Sequence, residues 1–219
     1  MSQTIFLDGS LYVKNKLDMV NQCLLAIGEA PYPSGTLVST MPLGTDGETA
    51  SRLVNATMVD VQTKGWYFNT DYDFKLYTDS NSFITIPPNT LKVDFGIGEG
   101  NRYQAKNGRV YDMQEQTFYL EDVTYLTADI IWLVDYEELP PEAYEYIALR
   151  SARKFQQKVI GSTETAKFTE RDELDSYTNL YRLQLQVNDY NLQNSRVSTR
   201  THNGYLVAGL YGNKGRRSY

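Results

Sequence analysis

Cysteine and histidine are almost missing from this chain of 219 residues, which carries one of each. Cys23 alone can close no intramolecular disulfide and can build no cysteine-based zinc cage. On the apolar side of its predicted helix it should be a small buried hydrophobe. His202 alone removes most histidine-centred metal sites. It lies beside Asn203-Gly204, far in sequence from any arrangement that reads as a catalytic triad, and is expected at the surface. Long apolar runs are missing too. The longest candidate, Ile130-Ile131-Trp132-Leu133-Val134, has the length of a strand, whereas a bilayer crossing takes roughly 18–20 residues. Met1-Ser2-Gln3-Thr4 has neither the basic region nor the apolar stretch of a signal peptide, so synthesis and retention in the cytosol are expected. No metal, no cofactor and no membrane contact is expected.

Acidic residues stop at Asp189, and beyond it Arg196, Arg200, Lys214, Arg216 and Arg217 supply +5. The whole chain carries −6, so the part before that tail carries −11. Such a body argues against tight nucleic-acid binding, which needs many Lys or Arg contacts to phosphate. It suits a surface past which DNA slides, and the basic tail reads separately as an interaction arm. What is abundant is tyrosine, with 18 copies against 8 Phe and 2 Trp. A rigid apolar face with a polar tip suits protein–protein contacts, and it equally suits a tyrosine-rich sheet. With 41% apolar residues the chain can bury a core and should fold.

The apolar spacing predicts a helix over 14–27, with Leu17, Val20, Leu24 and Ile27 on one stripe and Gly28 as its left-handed cap. Residues 31–44, with three prolines and two glycines, read as a loop. Thr45-Asp46-Gly47-Glu48 has capping-box spacing and opens a second helix, whose face is Ala50, Leu53, Val54, Met58 and Val61. Gly65 should end it, and Trp66-Tyr67-Phe68-Asn69 should pack against the core where helix gives way to strand. From Asp71 to Tyr136 the pattern turns to six or seven short strands, expected to be antiparallel. Asp73–Tyr77 and Ser82–Ile86 are expected as a pair, followed by Leu91–Phe95, Thr117–Leu120 and Ala128–Val134. Asn107-Gly108 predicts a two-residue type I′ hairpin turn joining Arg102–Lys106 to Arg109–Met113. That register sets Lys106 opposite Arg109, tolerable where both are exposed. Pro140-Pro141 with Glu142 opens a third helix, whose face is Ala143, Ile147, Ala148, Ser151 and Phe155, and Gly161 should end it. Ser162-Thr163-Glu164 then starts a long helix to about Leu192, with Phe168, Leu174, Tyr177, Tyr181 and Leu185 as its stripe.

The expected fold class is α+β: a four-helix bundle with an antiparallel β lobe inserted between the second and third helices, and an extended C-terminal arm. In residues, the bundle takes 1–70 and 137–194, the β domain 71–136 and the arm 195–219. Within the arm, Tyr205-Leu206-Val207-Ala208 and Leu210-Tyr211 are apolar but sit among four glycines, so they cannot make their own core. Tyr205, Leu206, Leu210, Tyr211, Arg216 and Arg217 are the candidate partner-binding residues. They are expected to gain order against a partner or a neighbouring subunit, as an added strand or a clamp.

Three segments carry a resemblance. They are Leu25-Ala26-Ile27-Gly28-Glu29-Ala30-Pro31, then Lys64-Gly65-Trp66-Tyr67-Phe68-Asn69, and then Leu133-Val134-Asp135-Tyr136-Glu137-Glu138-Leu139-Pro140. The last is followed by Tyr146-Ile147-Ala148, by Ser151-Ala152-Arg153-Lys154-Phe155-Gln156 and by Gly161. In this order and spacing they resemble the tail tubular protein A family, the adaptors of short-tailed bacteriophages. The resemblance spans most of the chain up to about Leu192. It implies a helical bundle bearing a β lobe, with twelve copies in a ring at the head-to-tail interface of the virion. It also implies the portal protein above, a tail nozzle resembling tail tubular protein B below, and tail fibres docking at that boundary. DNA would pass through the ring without specific binding.

Asp135, Glu137 and Glu138 are the one acidic cluster placed for chemistry. Paired carboxylates serve glycoside hydrolysis only when held about 5–10 Å apart with one of them kept protonated. Just before a helix, where negative charge is stabilised, they read as capping groups, and no catalytic residue is assigned. The expected function is therefore structural, not enzymatic. The rival readings are a tail-associated peptidoglycan-degrading enzyme and a soluble α+β binding module.

Overall fold

The computed structural model describes residues 5–7, 10–12, 15–96, 102–161 and 163–194. In chain order the elements are β1 (Ile5–Leu7), β2 (Ser10–Tyr12), α1 (Lys16–Ala26), α2 (Asp46–Gln62), β3 (Thr70–Tyr77), β4 (Thr90–Asp94), β5 (Tyr103–Lys106), β6 (Arg109–Asp112), β7 (Tyr125–Trp132), α3 (Pro141–Val159) and α4 (Thr163–Asn194), with one 3-10 turn at Val38–Thr40. Helices and antiparallel sheets together make the class α+β, as expected. The chain divides into two compact units, 1–181 and 182–219, with the boundary inside α4. The arm residues Tyr205, Leu206, Leu210, Tyr211, Arg216 and Arg217 lie outside the described residues.

Each helix begins and ends where its local chemistry dictates. The Asn15 side chain caps α1 by accepting from the Asp18 N–H at 3.0 Å, and Gly28 leaves it at φ +83°. Thr45 caps α2, its hydroxyl accepting from the Glu48 N–H at 3.3 Å. Gly65 follows at φ +74°, and a Cβ there would stand 2.9 Å from Ile131 Cδ1, so both backbone and space demand glycine. α3 opens at Pro140-Pro141 and buries Ala143, Ile147, Ala148, Ser151 and Phe155.

One cluster of buried side chains joins the helices. Met19, Val20 and Cys23 of α1 meet Ala50, Val54 and Val61 of α2 and Ile147 and Phe155 of α3, all fully buried. α3 also grips both ends of α1: the Tyr144 hydroxyl donates to the Asn15 carbonyl at 2.9 Å, and the Gln156 amide donates to the Ala26 carbonyl at 2.9 Å. These two helices therefore run in the same direction. The loop after α1 is pinned by a paired contact, in which Asn21 donates to the Tyr32 carbonyl at 3.0 Å and accepts from its N–H at 2.8 Å. The Tyr32 ring then lies where a side chain on Gly47 would be, 2.5 Å from a Cβ built there.

In α4 the structure departs from the expected stripe. Leu174, Tyr181 and Leu185 are exposed, Tyr177 is half-buried, and Phe168 lies outside the described side chains. Among the described side chains of α4 the buried positions are Glu173, Ser176 and Leu180. With Tyr177 they follow the i, i+3, i+4, i+7 rhythm of a helix face, but two of the four are polar and hide it from a hydrophobicity pattern.

The β pairing is also corrected. Asp73–Tyr77 does not pair with Ser82–Ile86; β3 pairs antiparallel with β7, and the sheet order is β3-β7-β4. The Asp79 carboxylate accepts from the N–H groups of Asn81 and Phe83 at 2.8 and 2.9 Å, and Ser82 sits at φ +62°. This turn aims Ser82–Ile86 away from β3, leaving a single bridge between Thr85 and Arg109. Thr117–Leu120 likewise reduces to one bridge, Asp112 to Thr117. Among the described residues, β3 to β7 are thus five strands in place of six or seven. The β5–β6 hairpin matches its prediction, with Asn107 and Gly108 at φ +52° and +70° and Lys106 opposite Arg109. Both cations are exposed and lie over rings, Lys106 at 4.5 Å from the Tyr111 centroid and Arg109 at 4.6 Å from that of Phe83. A second core, including Leu76, Ile84, Val110, Leu126 and Ile130, underlies these strands. The hairpin β1–β2 was not anticipated, although Asp8-Gly9 between its strands is the same kind of signal as Asn107-Gly108.

Candidate functional site

Two buried amides hold the point where the chain leaves the helices for the sheet and returns. Gln62, in the last turn of α2, donates to the Val134 carbonyl at 2.9 Å and accepts from the Val134 N–H at 2.8 Å. Asn69 donates to the carbonyls of Gln62 and Trp132 at 3.0 and 2.8 Å, and accepts from the Trp66 N–H at 2.8 Å. The Trp66 indole N–H closes the helix end on the Val61 carbonyl at 2.8 Å. Gln62 is 0% and Asn69 1% exposed, so these bonds replace water rather than compete with it. Trp66 is core, as expected, and its neighbour Phe68 packs against the same cluster. The segment from Gly65 to Asn69 is thus a joint, its glycine, tryptophan and asparagine each with a separate task. Gln62 was not singled out by sequence, where a glutamine at a helix end looks like any solvated one.

A second site joins α2, α3 and the part of α4 before Tyr181. Glu173, 7% exposed, accepts from Arg150 at 2.9 Å and also from Arg153. Arg150 reaches Asp60 on α2 at 3.1 Å and the Tyr146 hydroxyl at 3.2 Å, and Lys154 reaches Asp60 at 3.3 Å. Burial works against the Arg150 charge, but Tyr146, Asp60 and Glu173 outweigh it and raise its pKa above the usual arginine value. Burial also opposes the Asp60 charge, yet hydrogen bonds from Arg150 and Lys154 bring its pKa below the usual aspartate value. Burial pushes the Tyr146 phenol up. Around this network the Tyr177 ring meets those of Trp66, Tyr146 and Tyr181, stacking on Tyr181 at 6.2 Å. Lys64 lies 5.8 Å from the Tyr177 centroid. An open cleft of about 220 Å³ lies here, lined by Lys64, Arg153, Glu170, Leu174 and Tyr177 among others. Charged groups are fixed here beside the half-buried Tyr177 and the exposed Tyr181, and neither Arg150 nor Glu173 was foreseen as the centre of such a network.

The acidic cluster has a different setting from the one expected. Asp135, Glu137 and Glu138 are exposed on an open turn, and α3 has no side-chain cap, its N-terminal position being Pro140. Capping is therefore not their role, because a proline already starts the helix and Glu142 supplies the acid of its first turn. None of the three lines the cleft beside Tyr177. Between them in sequence, Tyr136 turns inward to donate to Asn55, and burial and Asp135 push its phenol up to about 12. Cys23 is fully buried, and burial pushes its thiol up to about 12, consistent with a packing role. Among the described residues no group of three His, Cys, Asp or Glu is placed to hold a metal ion, and no helix is long and apolar enough to cross a membrane.

Comparison with known proteins gives two findings. A family model described as "Tail tubular protein" matches residues 17–190. The "Tail tubular protein A" of Klebsiella phage KP34 is 25% identical over 188 residues, which covers 84% of this chain and 90% of that protein.

Proposed function

The chain belongs to the tail tubular protein family, and from that premise we propose that it is the head-to-tail adaptor of a short-tailed bacteriophage. At the coarser level it is a structural protein of the phage tail, located in the virion. The finer reading is a ring of twelve copies, with the portal protein on one side and a nozzle resembling tail tubular protein B on the other. Tail fibres dock at that boundary. The ring's work is mechanical: it holds protein to protein, and DNA passes through it at ejection. No substrate bond is made or broken.

The observation that carries this reading is the extent of the family match, which runs from the first residues of α1 nearly to the end of α4. The buried joint at Gln62 and Asn69 supports it, since a ring subunit needs its helical and sheet parts held at a fixed angle. The acidic charge before the tail supports it too, because phosphate is repelled within a Debye length of about 8 Å. In this proposal the helices form one bundle, 1–70 with 137–194, and 71–136 is an inserted β lobe. The arm 195–219 clamps the portal or a neighbouring subunit through Tyr205, Leu206, Leu210, Tyr211, Arg216 and Arg217.

Mixing the purified chain with purified portal and imaging by electron microscopy tests the reading. A ring of this protein seated on the portal is expected, and it should fail to seat when residues 204–219 are deleted. A chain that stays monomeric and ignores the portal refutes the adaptor role. Clearing of a peptidoglycan zymogram by the pure protein refutes the structural one.

A further inference from the structure

A cleft of about 270 Å³ opens in the sheet region between β4 and the tip of the β5–β6 hairpin. Its walls are strand edges: β4 is outermost in the order β3-β7-β4, and among the described residues β5 pairs with β6 alone. The walls converge where the rings of Phe95 and Tyr103 meet at 6.3 Å. At the far end they are linked by the Ile86 N–H, which donates to the Gly108 carbonyl at 2.9 Å. Pro87, Pro88, Leu91 and Val93 give the cleft an apolar lining.

The cations at this cleft are unbalanced. Lys92 on one wall and Lys106 on the other are exposed, with Arg109 directly across the hairpin from Lys106. Lys92 has an exposed carboxylate, Asp94, at 4.0 Å, and among the described residues neither Lys106 nor Arg109 has an ion pair. Like charges directly opposite in a ladder cost free energy, and here they persist in a chain whose net charge is −6.

We propose that this cleft receives an extended, carboxylate-bearing segment of a protein partner, laid between the two strand edges. Outward-facing backbone groups of β4 and β5 supply the ladder that such a segment needs. Its apolar side chains rest on the proline-lined wall, and its carboxylates meet Lys92 and Lys106. A peptide fits better than a nucleic acid, because strand edges match a peptide backbone and the acidic chain repels a polyphosphate. The inference is independent of the adaptor reading and holds at any place in the tail.

The test uses the full chain and a fluorescein-labelled heptapeptide of alternating valine and glutamate, followed by anisotropy at low and moderate salt. Saturable binding is expected, weakening as salt rises and at least tenfold weaker in the Lys92→Glu/Lys106→Glu variant. The double variant should keep the circular dichroism spectrum of the parent chain. A heptapeptide of alternating valine and lysine should not bind. The proposal is overturned by no binding of the glutamate peptide, by equal binding of the lysine peptide, or by indifference to the charge reversal. It is overturned equally if a single-stranded oligonucleotide binds at the cleft in preference to the peptide.

Discussion

Replacing Asn69 with alanine removes three hydrogen bonds at once: the Trp66 N–H and the Trp132 carbonyl lose this partner, while the Gln62 carbonyl keeps the Gly65 N–H at 3.1 Å. Each buried polar group left unsatisfied costs about 1–3 kcal/mol, and a water admitted to the space recovers part of it. The expected loss is therefore about 3–5 kcal/mol, a large fraction of the roughly 5–15 kcal/mol that holds a domain folded. With a urea slope of about 2–3 kcal/mol/M, the unfolding midpoint should fall by about 1–2.5 M. The assay is built in, because Trp66 and Trp132 flank the substituted residue and are the protein's two tryptophans. Their fluorescence reports the joint, while circular dichroism at 222 nm reports the helices. Asn69→Asp adds a pH test. A carboxylate facing two carbonyl oxygens is disfavoured, so its folded pKa lies above the unfolded one. Any stability the acid form retains is then complete at low pH and is lost as pH rises through the folded pKa. If Asn69→Ala costs less than about 1 kcal/mol, or if Asn69→Asp gains stability as pH rises relative to wild type, the joint does not work as argued.

Gly47→Ala tests the Tyr32 contact: helix propensity favours alanine by about 1 kcal/mol, yet a Cβ would stand 2.5 Å from the Tyr32 ring. Thermal melts should show destabilisation, and Tyr32→Ala in the same chain should restore the favourable sign. Glu173→Ala removes the carboxylate that Arg150 and Arg153 share, leaving Arg150 with Asp60, and should cost about 1–3 kcal/mol in denaturant titrations, against under about 1 kcal/mol for the exposed Asp175→Ala. Burial opposes the Asp112 charge, but Arg102 and the N–H groups of Glu115 and Gln114 bring its pKa below the usual 3.8. Its stabilising part is present above the usual aspartate range and is lost as pH falls through the lowered value, so Asp112→Asn should flatten the acid limb of a stability-against-pH curve.

Helix starts, helix ends and the Asn107-Gly108 turn were legible because each depends on residues within one or two turns of chain. Strand pairing was not. Asp71 meets Ile130, and no local pattern marks that partner. The face of α4 misled for a different reason: Glu173 is buried because two arginines from another helix neutralise it, and that pairing is a tertiary fact. The capping role expected of Asp135, Glu137 and Glu138 failed because Pro140 had already taken the helix start. Of the candidate site, the tyrosines were visible as an excess in composition, but their gathering around Arg150 was not. Gln62 was invisible altogether, since burial alone gives its amide a role.

The grip of α3 on both ends of α1 has a consequence for how the protein is made. Tyr144 and Gln156 meet backbone carbonyls 129 and 130 residues earlier in the chain. At a synthesis rate of about 5–20 residues per second, α1 has emerged from the ribosome roughly 6–26 s before the helix that covers it. Through that interval Met19, Val20 and Leu24 have α2 as a companion but not Phe155 or Ile147. The newborn chain therefore waits with a half-built apolar core, open to other chains until the third helix arrives.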